Sequence, residues 1–455
     1  MRISTSSASM FVAAYLMSLV LAFWPALPAT VPALALLMYL VLSAFRIQRM
    51  QALLGVAFLL VGVALAATAG GLDRVIVTVL NAAELTLPLL LLFGAVAWLN
   101  HAILADPAFH ALSRVIGQLP ARRSNSVMSL SSHFIGGTLT LAGFNLIAAI
   151  AGYQTDQLRQ KRMTQAAVRG FTIAACWSPF FVGMAAALTA VSARWADVAL
   201  QGVSIAMLLM GLVWLRERLR PSDRAADTTL QRDEKLDTPI RSELRWITIM
   251  LAGVMAPVLL LHEVAGFSIP TSIALACPCV AIAIIARTNL NQIPSTARTV
   301  WLHLPSLSNE LFVLLAANIF ALGLLTQDTL VDHLLGWLPA ALSGSLLAPG
   351  ALVLAGTGLA ALGIHPLVVI TFIAGIMPTD TPAPFAATIA LALAIVWGLG
   401  TMISPISALT MIVARSSGHS PLRVSWGWNG LFTVTATILA AGALTLLLMA
   451  QTVLE

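Results

Sequence analysis

Apolar runs of roughly the length needed to cross a bilayer, about 20 residues each, alternate along this chain with short polar joints. They fall at approximately 10–23, 31–45, 52–70, 84–103, 128–152, 170–192 and 198–215, and resume at 246–262, 270–286, 308–325, 349–377, 385–413 and 430–451. Polar and apolar positions do not alternate within them, as they would in the strands of a transmembrane barrel. The pattern predicts an all-α polytopic membrane protein. Between the two groups lies Arg216–Arg245, with eight basic and seven acidic residues, Pro221 and Pro239; it reads as a flexible connector. No polar stretch is long enough to fold as a soluble domain of its own.

The polar joints decide how the runs are threaded. Short cytoplasmic loops collect lysine and arginine, and the connector is placed inside on that ground. If every run crossed once, the loop Tyr153–Arg169, with Arg159, Lys161, Arg162 and Arg169 against Asp156 alone, would be exported. A re-entrant hairpin at 128–152 removes the conflict and leaves Arg114, Arg122 and Arg123 inside as well. Gly136-Gly137-Thr138 and Gly143-Phe144-Asn145 offer its bend points. In the second half, loop 287–307 carries Arg287 and Arg298, loop 326–348 carries Asp328 and Asp332, and loop 414–429 carries Arg415 and Arg423. Segment 349–377 then enters and leaves from the outer face, turning at Gly363-Ile364-His365-Pro366. The expectation is about eleven transmembrane helices plus two re-entrant hairpins. Residues 1–30 hold an N-terminal helix, read as a retained span and not a cleaved signal because only Arg2 precedes it and no small-residue cleavage site follows. Residues 31–215 form a first repeat, 216–245 a cytoplasmic connector and 246–455 a second repeat. Five spans in each repeat invert one relative to the other, the organisation of alternating-access transporters.

A fixed spacing supports the two-repeat reading. Ser178-Pro179 is answered by Ser404-Pro405 (404 − 178 = 226), Glu84 by Glu310, and Asp106 by Asp332 at the same offset. Proline removes a backbone donor and clashes with the preceding turn, so each serine-proline breaks a helix and frees carbonyls. One such break reads as a kink satisfied by its serine; a repeated pair beside hairpins reads as a site. Freed carbonyls and hydroxyls suit Na⁺ near Ser178 and Ser404, and half-helix amino ends favour an anion.

Candidate solute- or ion-binding residues are therefore Ser178, Pro179, Thr401, Ser404, Pro405 and Ser407 at the breaks. Thr138 and Asn145 join them from the first hairpin, His365 and Thr371 from the second. His133, Asp380, Glu84 and Glu310 are candidates for coupling. His365 before a proline reads first as a turn cap, and Glu84 and Glu310 as helix-end carboxylates solvated by snorkelling.

Composition narrows the chemistry further. Apolar residues make up 59% of 455 and charged residues 9%, against about 25% charged in soluble chains. The net charge of +6 belongs to loop arginines and lysines and forms no basic stripe for nucleic acid. Cys176, Cys277 and Cys279 lie in apolar segments and read as helix packing, with no second pair for a metal. No phosphate-cradling, zinc-helix or dinucleotide motif appears. Neither an enzyme nor a cofactor is expected, only Na⁺ or H⁺ as a coupling ion.

The layout over residues 31–451, with Leu362-Gly363-Ile364-His365-Pro366 and Ser404-Pro405-Ile406-Ser407, resembles the ion transporter superfamily. That group includes divalent-anion/sodium symporters, arsenite-efflux proteins and the membrane subunits of tripartite dicarboxylate systems. The symporters' Ser-Asn-Thr signature is replaced here by the two serine-prolines. The resemblance implies inverted halves, paired hairpins and broken helices meeting at the substrate, often in a homodimer. The expected function is a secondary active transporter of a small anionic solute, a carboxylate or oxyanion, coupled to Na⁺ or H⁺ in the bacterial inner membrane. Metalloid efflux, cation/H⁺ antiport, a non-transporting accessory or assembly protein and an enzyme acting on a lipid-linked substrate stand as alternatives.

Overall fold

The computed structural model describes residues 2–104, 119, 121–152, 154, 156–219, 237–378 and 380–454. Among the described residues there is no strand. The first helices are α1 (Arg2–Phe23) and α2 (Thr30–Ser43). A continuous stretch, Arg49–Leu104, is divided at Gly70–Gly71, where φ reaches +65° at Gly71, into α3 (49–69) and α4 (72–104). The polar joint expected near 71–83 is thus the first three turns of α4. Glu84 lies inside that helix and not at its start.

Ala121–Gly152 is divided at Thr140 (φ 54°, ψ −138°) into α5 (121–139) and α6 (141–152). A Cβ added at Gly143 would lie 2.6 Å from the carbonyl oxygen of Ile135. Residues eight apart in a straight helix are about 12 Å apart, so α6 doubles back along α5. The bend is at Thr140 and not at the glycines expected to supply it; those lie in the arms, where their missing side chains admit close neighbours.

Next come α7 (Gln157–Ile173), the interruption 177–181, and α8 (Val182–Ala190). The loop expected over Tyr153–Arg169 is therefore mostly helix. Asp156 starts it by accepting from the backbone N–H of Leu158 and Arg159, as helix N-caps do. Arg169 is buried at 2% exposure, donating to Asn429 Oδ1 and the Trp428 carbonyl, with its guanidinium 4.6 Å from the centre of the Phe432 ring. It ties the two halves together and is no loop charge.

Helix α9 (Trp195–Leu219) closes the first half. Residues 220–236 of the expected connector, with Asp106 and Arg114, lie outside the described residues, and α10 (Asp237–Glu263) already takes up the connector's end. Then follow α11 (Ile269–Asn289), α12 (Ile293–His303), α13 (Ser308–Leu325) and the short α14 (Asp328–Leu335) and α15 (Leu338–Gly344). The second expected hairpin comprises α16 (Ala348–Ala361) and α17 (Pro366–Ile376), turning through Gly363 at φ 100°. After it, α18 (Ala383–Ile403) and α19 (Ala408–Ser417) are separated at Ser404–Ser407. A π-helical turn, Arg423–Asn429, leads into α20 (Gly430–Leu454).

Seven helical stretches among the described residues are long and apolar enough to cross a membrane, and the longest is the one divided at Gly70–Gly71. Large apolar side chains such as Leu53, Leu60, Leu431 and Leu446 face outward, the inside-out arrangement lipid permits. Lipid tails are as apolar as leucine, so helices associate through close packing of small residues. At the crossing of α3 and α13, a Cβ on Gly323 would sit 2.3 Å from the Gly62 carbonyl oxygen. The same device brings α18 across the first broken helix. A Cβ on Gly398 would meet the Thr172 carbonyl oxygen at 2.4 Å, and one on Gly183 would meet the Trp397 ring at 2.1 Å. This crossing places the two helix breaks side by side.

Candidate functional site

Both bends and both breaks border one cavity of about 130 Å³. Thr140 and Leu141 reach it from the first bend, His365 and Pro366 from the second. Phe181 and Val182 reach it from the first break, and Thr401, Ser404 and Ser407 from the second. Phe93, Phe171, Trp397 and Leu314 supply apolar walls, and Gln51 and Glu310 complete the polar lining. Several water molecules' worth of room is present, since one needs only about 10–15 Å³ on this measure.

A second cavity of about 110 Å³ shares Gln51, Leu54, Leu141, Glu310, Ile406 and Ala408 with the first. It continues to Gln48 and Arg415, where the exposed Arg415 guanidinium donates to Gln48 Oε1 at 2.9 Å. Glu310, in the first turn of α13, borders both spaces. A third cavity, about 280 Å³, lies between α4, α8, α13 and α17 and includes Thr189, Asn318 and Thr371. Its polar groups are already engaged: Thr371 donates to Asn318 Oδ1 at 2.6 Å, and Asn318 donates to Thr86 Oγ1 at 3.1 Å.

The two serine-prolines are not equivalent. The Ser178 hydroxyl donates to the Gly137 carbonyl and accepts from Phe180 N–H, which fastens the first break to α5. That uses its proton and one of its two lone pairs. Ser404, 2% exposed, faces the cavity, and its hydroxyl has no partner among the described residues. Gln51 Oε1 is likewise buried without a partner there. Buried polar groups are normally hydrogen-bonded within the protein; groups left open around a cavity are the mark of a ligand site.

His365 accepts from Leu367 N–H through Nδ1 at 3.2 Å and so caps α17 while its ring stands edge-on to Trp397. Its Nε2 is then the protonated nitrogen of the neutral ring. Ser407 caps α19 by accepting from Thr410 N–H, and donates to the Thr401 carbonyl at 2.6 Å.

Other expected site residues lie elsewhere. Thr138 donates back to the Phe134 carbonyl within α5, and Asn145 is exposed on α6. Both sit in arms because the bend is at Thr140. His133 bridges the Gly170 carbonyl and Trp177 Nε1, which makes it a fastening between α5 and the first break. Asp380 is exposed. Glu84 borders none of the three cavities, and Pro179 and Pro405 shape the breaks without lining the space. Thr140, Gln51, Trp397 and Phe171 were missed. Thr140 was legible only as polarity within a hairpin, and Gln51 sits at the edge of an otherwise ordinary apolar run.

The 226-residue spacing recurs in this geometry. Phe171 and Trp397, Phe181 and Ser407, Val182 and Ala408, and Thr140 and Pro366 are pairs at that offset, and all eight border the first cavity. Leu141, Leu314, Ile412 and Arg415 of the first two cavities have their counterparts, Leu367, Pro88, Ala186 and Thr189, in the third.

No family model matches the chain, and no curated protein does. Among solved structures, the chain is similar to the YdaH transporter of Alcanivorax borkumensis. The TM-score is 0.51 at 15% sequence identity, over 88% of this chain and 96% of that one. The likeness gives the fold: a transporter fold, in a multi-pass membrane protein.

Proposed function

We propose that this chain is a secondary active transporter of a small anionic solute, working by alternating access through the cavity at the two breaks. The reading has inverted halves at 31–215 and 246–455, eleven crossings and two hairpins opening to opposite sides of a bacterial inner membrane. One observation carries it: four interrupted helices, two from each half, converge on a single space with unpartnered polar groups. Irregular backbone at membrane depth survives only where protein shields it or a cavity needs it. The correspondence by the repeat spacing between the first two cavities and the third supports two interconvertible states, since symmetry-related halves can exchange roles. The solute class rests on the hydroxyls and helix amino ends at the cavity.

The test combines sidedness with uptake. Cysteines introduced at Gln48 and at Thr189, in a chain whose Cys176, Cys277 and Cys279 are replaced, are probed with an impermeant maleimide from each side of reconstituted vesicles. Gln48→Cys is expected to react only from the face bearing Arg415, and Thr189→Cys only from the opposite face. Radiolabelled succinate, sulfate and benzenesulfonate are then offered under ion gradients. Reaction of both cysteines from one face, with no uptake of any anion, removes the reading and leaves the accessory role.

A further inference from the structure

The proposed transport reading leaves the coupling ion open, and the charge arrangement of the cavity bears on it. Four helices begin at its wall: α6 at Leu141, α8 at Val182, α17 at Pro366 and α19 at Ala408. Each amino end carries roughly half a positive charge. Helix α8 has no side-chain cap to absorb it. The carboxyl end of α18 reaches the cavity too, with three of its carbonyls occupied. The Thr401 carbonyl takes the Ser407 hydroxyl, the Gly400 carbonyl takes Ser404 N–H, and the Gly398 carbonyl takes the Thr401 hydroxyl.

Among the described residues lining that space, one carries a formally charged carboxylate, Glu310. It stands where the inner cavity meets the passage to Arg415, and no ion pair among the described residues includes it. The groups facing it are few. Tyr39 of α2 is near enough to interact electrostatically, with Arg46 beside Tyr39. Arg415 of α19 lies at the outer mouth, His365 lies at the cavity wall, and Gln51 of α3 is neutral.

We propose that Glu310 is the proton-coupling group, ionised in the empty cavity and protonated when the transported anion is bound. In the empty state its carboxylate is the counter-charge to the helix ends. An entering anion takes over that role, and two anions in one small space cannot both remain ionised, as paired carboxylates show. A proton from water in the passage binds a carboxylate oxygen of Glu310, giving the neutral acid. It leaves to water on the opposite side after the anion departs. One proton therefore accompanies each solute, and the Ser404 hydroxyl and the Gln51 Nε2 amide donate hydrogen bonds to that solute.

The test uses wild-type and Glu310→Gln protein in liposomes with the membrane potential clamped and the same three anions as probes. For a transported anion, a gradient of one pH unit is expected to raise wild-type accumulation about tenfold at one proton per solute. Glu310→Gln should not respond to the gradient, yet should still exchange internal for external anion, because the amide imitates the neutral acid. Loss of both activities in a Glu310→Gln protein that still elutes as a folded species overturns the assignment. So does accumulation driven by a sodium gradient alone; either result leaves transport standing. Failure of all three anions with wild-type protein counts against the transport reading itself, and the carboxyl is then judged directly. Carbodiimide modification of Glu310, read by mass spectrometry, must fall about tenfold per pH unit on the alkaline side of its titration. Labelling that ignores pH, or that sodium blocks, overturns the proposal.

Discussion

Ser178 and Ser404 occupy matching places in the sequence and opposite places in the chemistry. Removing the Ser178 hydroxyl leaves the Gly137 carbonyl without its donor and Phe180 N–H without its acceptor. Burying polar groups unpaired costs about 1–3 kcal/mol. Ser178→Ala is therefore expected to lower the thermal unfolding temperature in detergent by several degrees. Ser404→Ala removes a hydroxyl with no protein partner; it should leave that temperature unchanged and weaken anion uptake. Equal destabilisation by both would contradict the distinction. Thr140 offers a converse case. It holds φ 54° at the first bend, a conformation that costs a non-glycine residue about 1–3 kcal/mol. Thr140→Gly should raise thermal stability and, by removing a polar group from the cavity wall, slow transport.

At the scale of elements, the breaks depend on the helices that cross them. Gly183 and Gly398 let α18 lie against both segments of the first broken helix. In Gly183→Ala the new methyl meets the root of the Trp397 side chain, not its mobile end, so the helices must separate at a cost of about 1–3 kcal/mol. Reduced folded yield and loss of uptake together are the expected outcome; unimpaired uptake would show that this crossing does not set the cavity. Much of this layer was legible in the sequence. The runs gave the helices, the serine-prolines gave both breaks, and the arginines around 159–169 pointed to the first bend. What escaped was whatever depends on a contact made elsewhere. Gly136, Gly137 and Gly143 resemble bend residues until their neighbours are known. Thr140 takes the bend because the arms pack around it. Arg169 looks like a loop charge because nothing nearby in the chain announces Trp428 and Asn429. Glu84 and Glu310 look alike because the chain does not announce that Glu310 opens α13 at the cavity while Glu84 lies within α4.

For the whole molecule, the cavities differ in how their walls are joined. The chain of Thr86, Asn318 and Thr371 joins α4, α13 and α17 across the third cavity, while at the passage to Arg415 the side chain of Gln48 accepts from Arg415 and its N–H donates to Asn309 Oδ1. Asn318→Leu removes two buried hydrogen bonds, a loss of about 1–3 kcal/mol, which translates into a shift of roughly 5–150-fold in a two-state balance. Maleimide reactivity of a cysteine at Thr189 should rise accordingly, and that of one at Gln48 should fall. Unchanged reactivity at both positions would mean that this hydrogen-bonded chain does not hold the walls of the third cavity together.

The contact between Gly398 and the Thr172 carbonyl joins two positions separated by the repeat spacing itself. If the halves descend from one gene, these positions began as the same residue meeting itself across the seam of an ancestral pair of identical subunits. A seam so tight admits no bulk from both sides, so a threonine facing a glycine could arise only after fusion let the copies diverge. Reverting Thr172→Gly should then be tolerated by the folded protein, whereas Gly398→Thr should not. A close crossing in the present molecule would thus preserve a constraint set before it was a single chain.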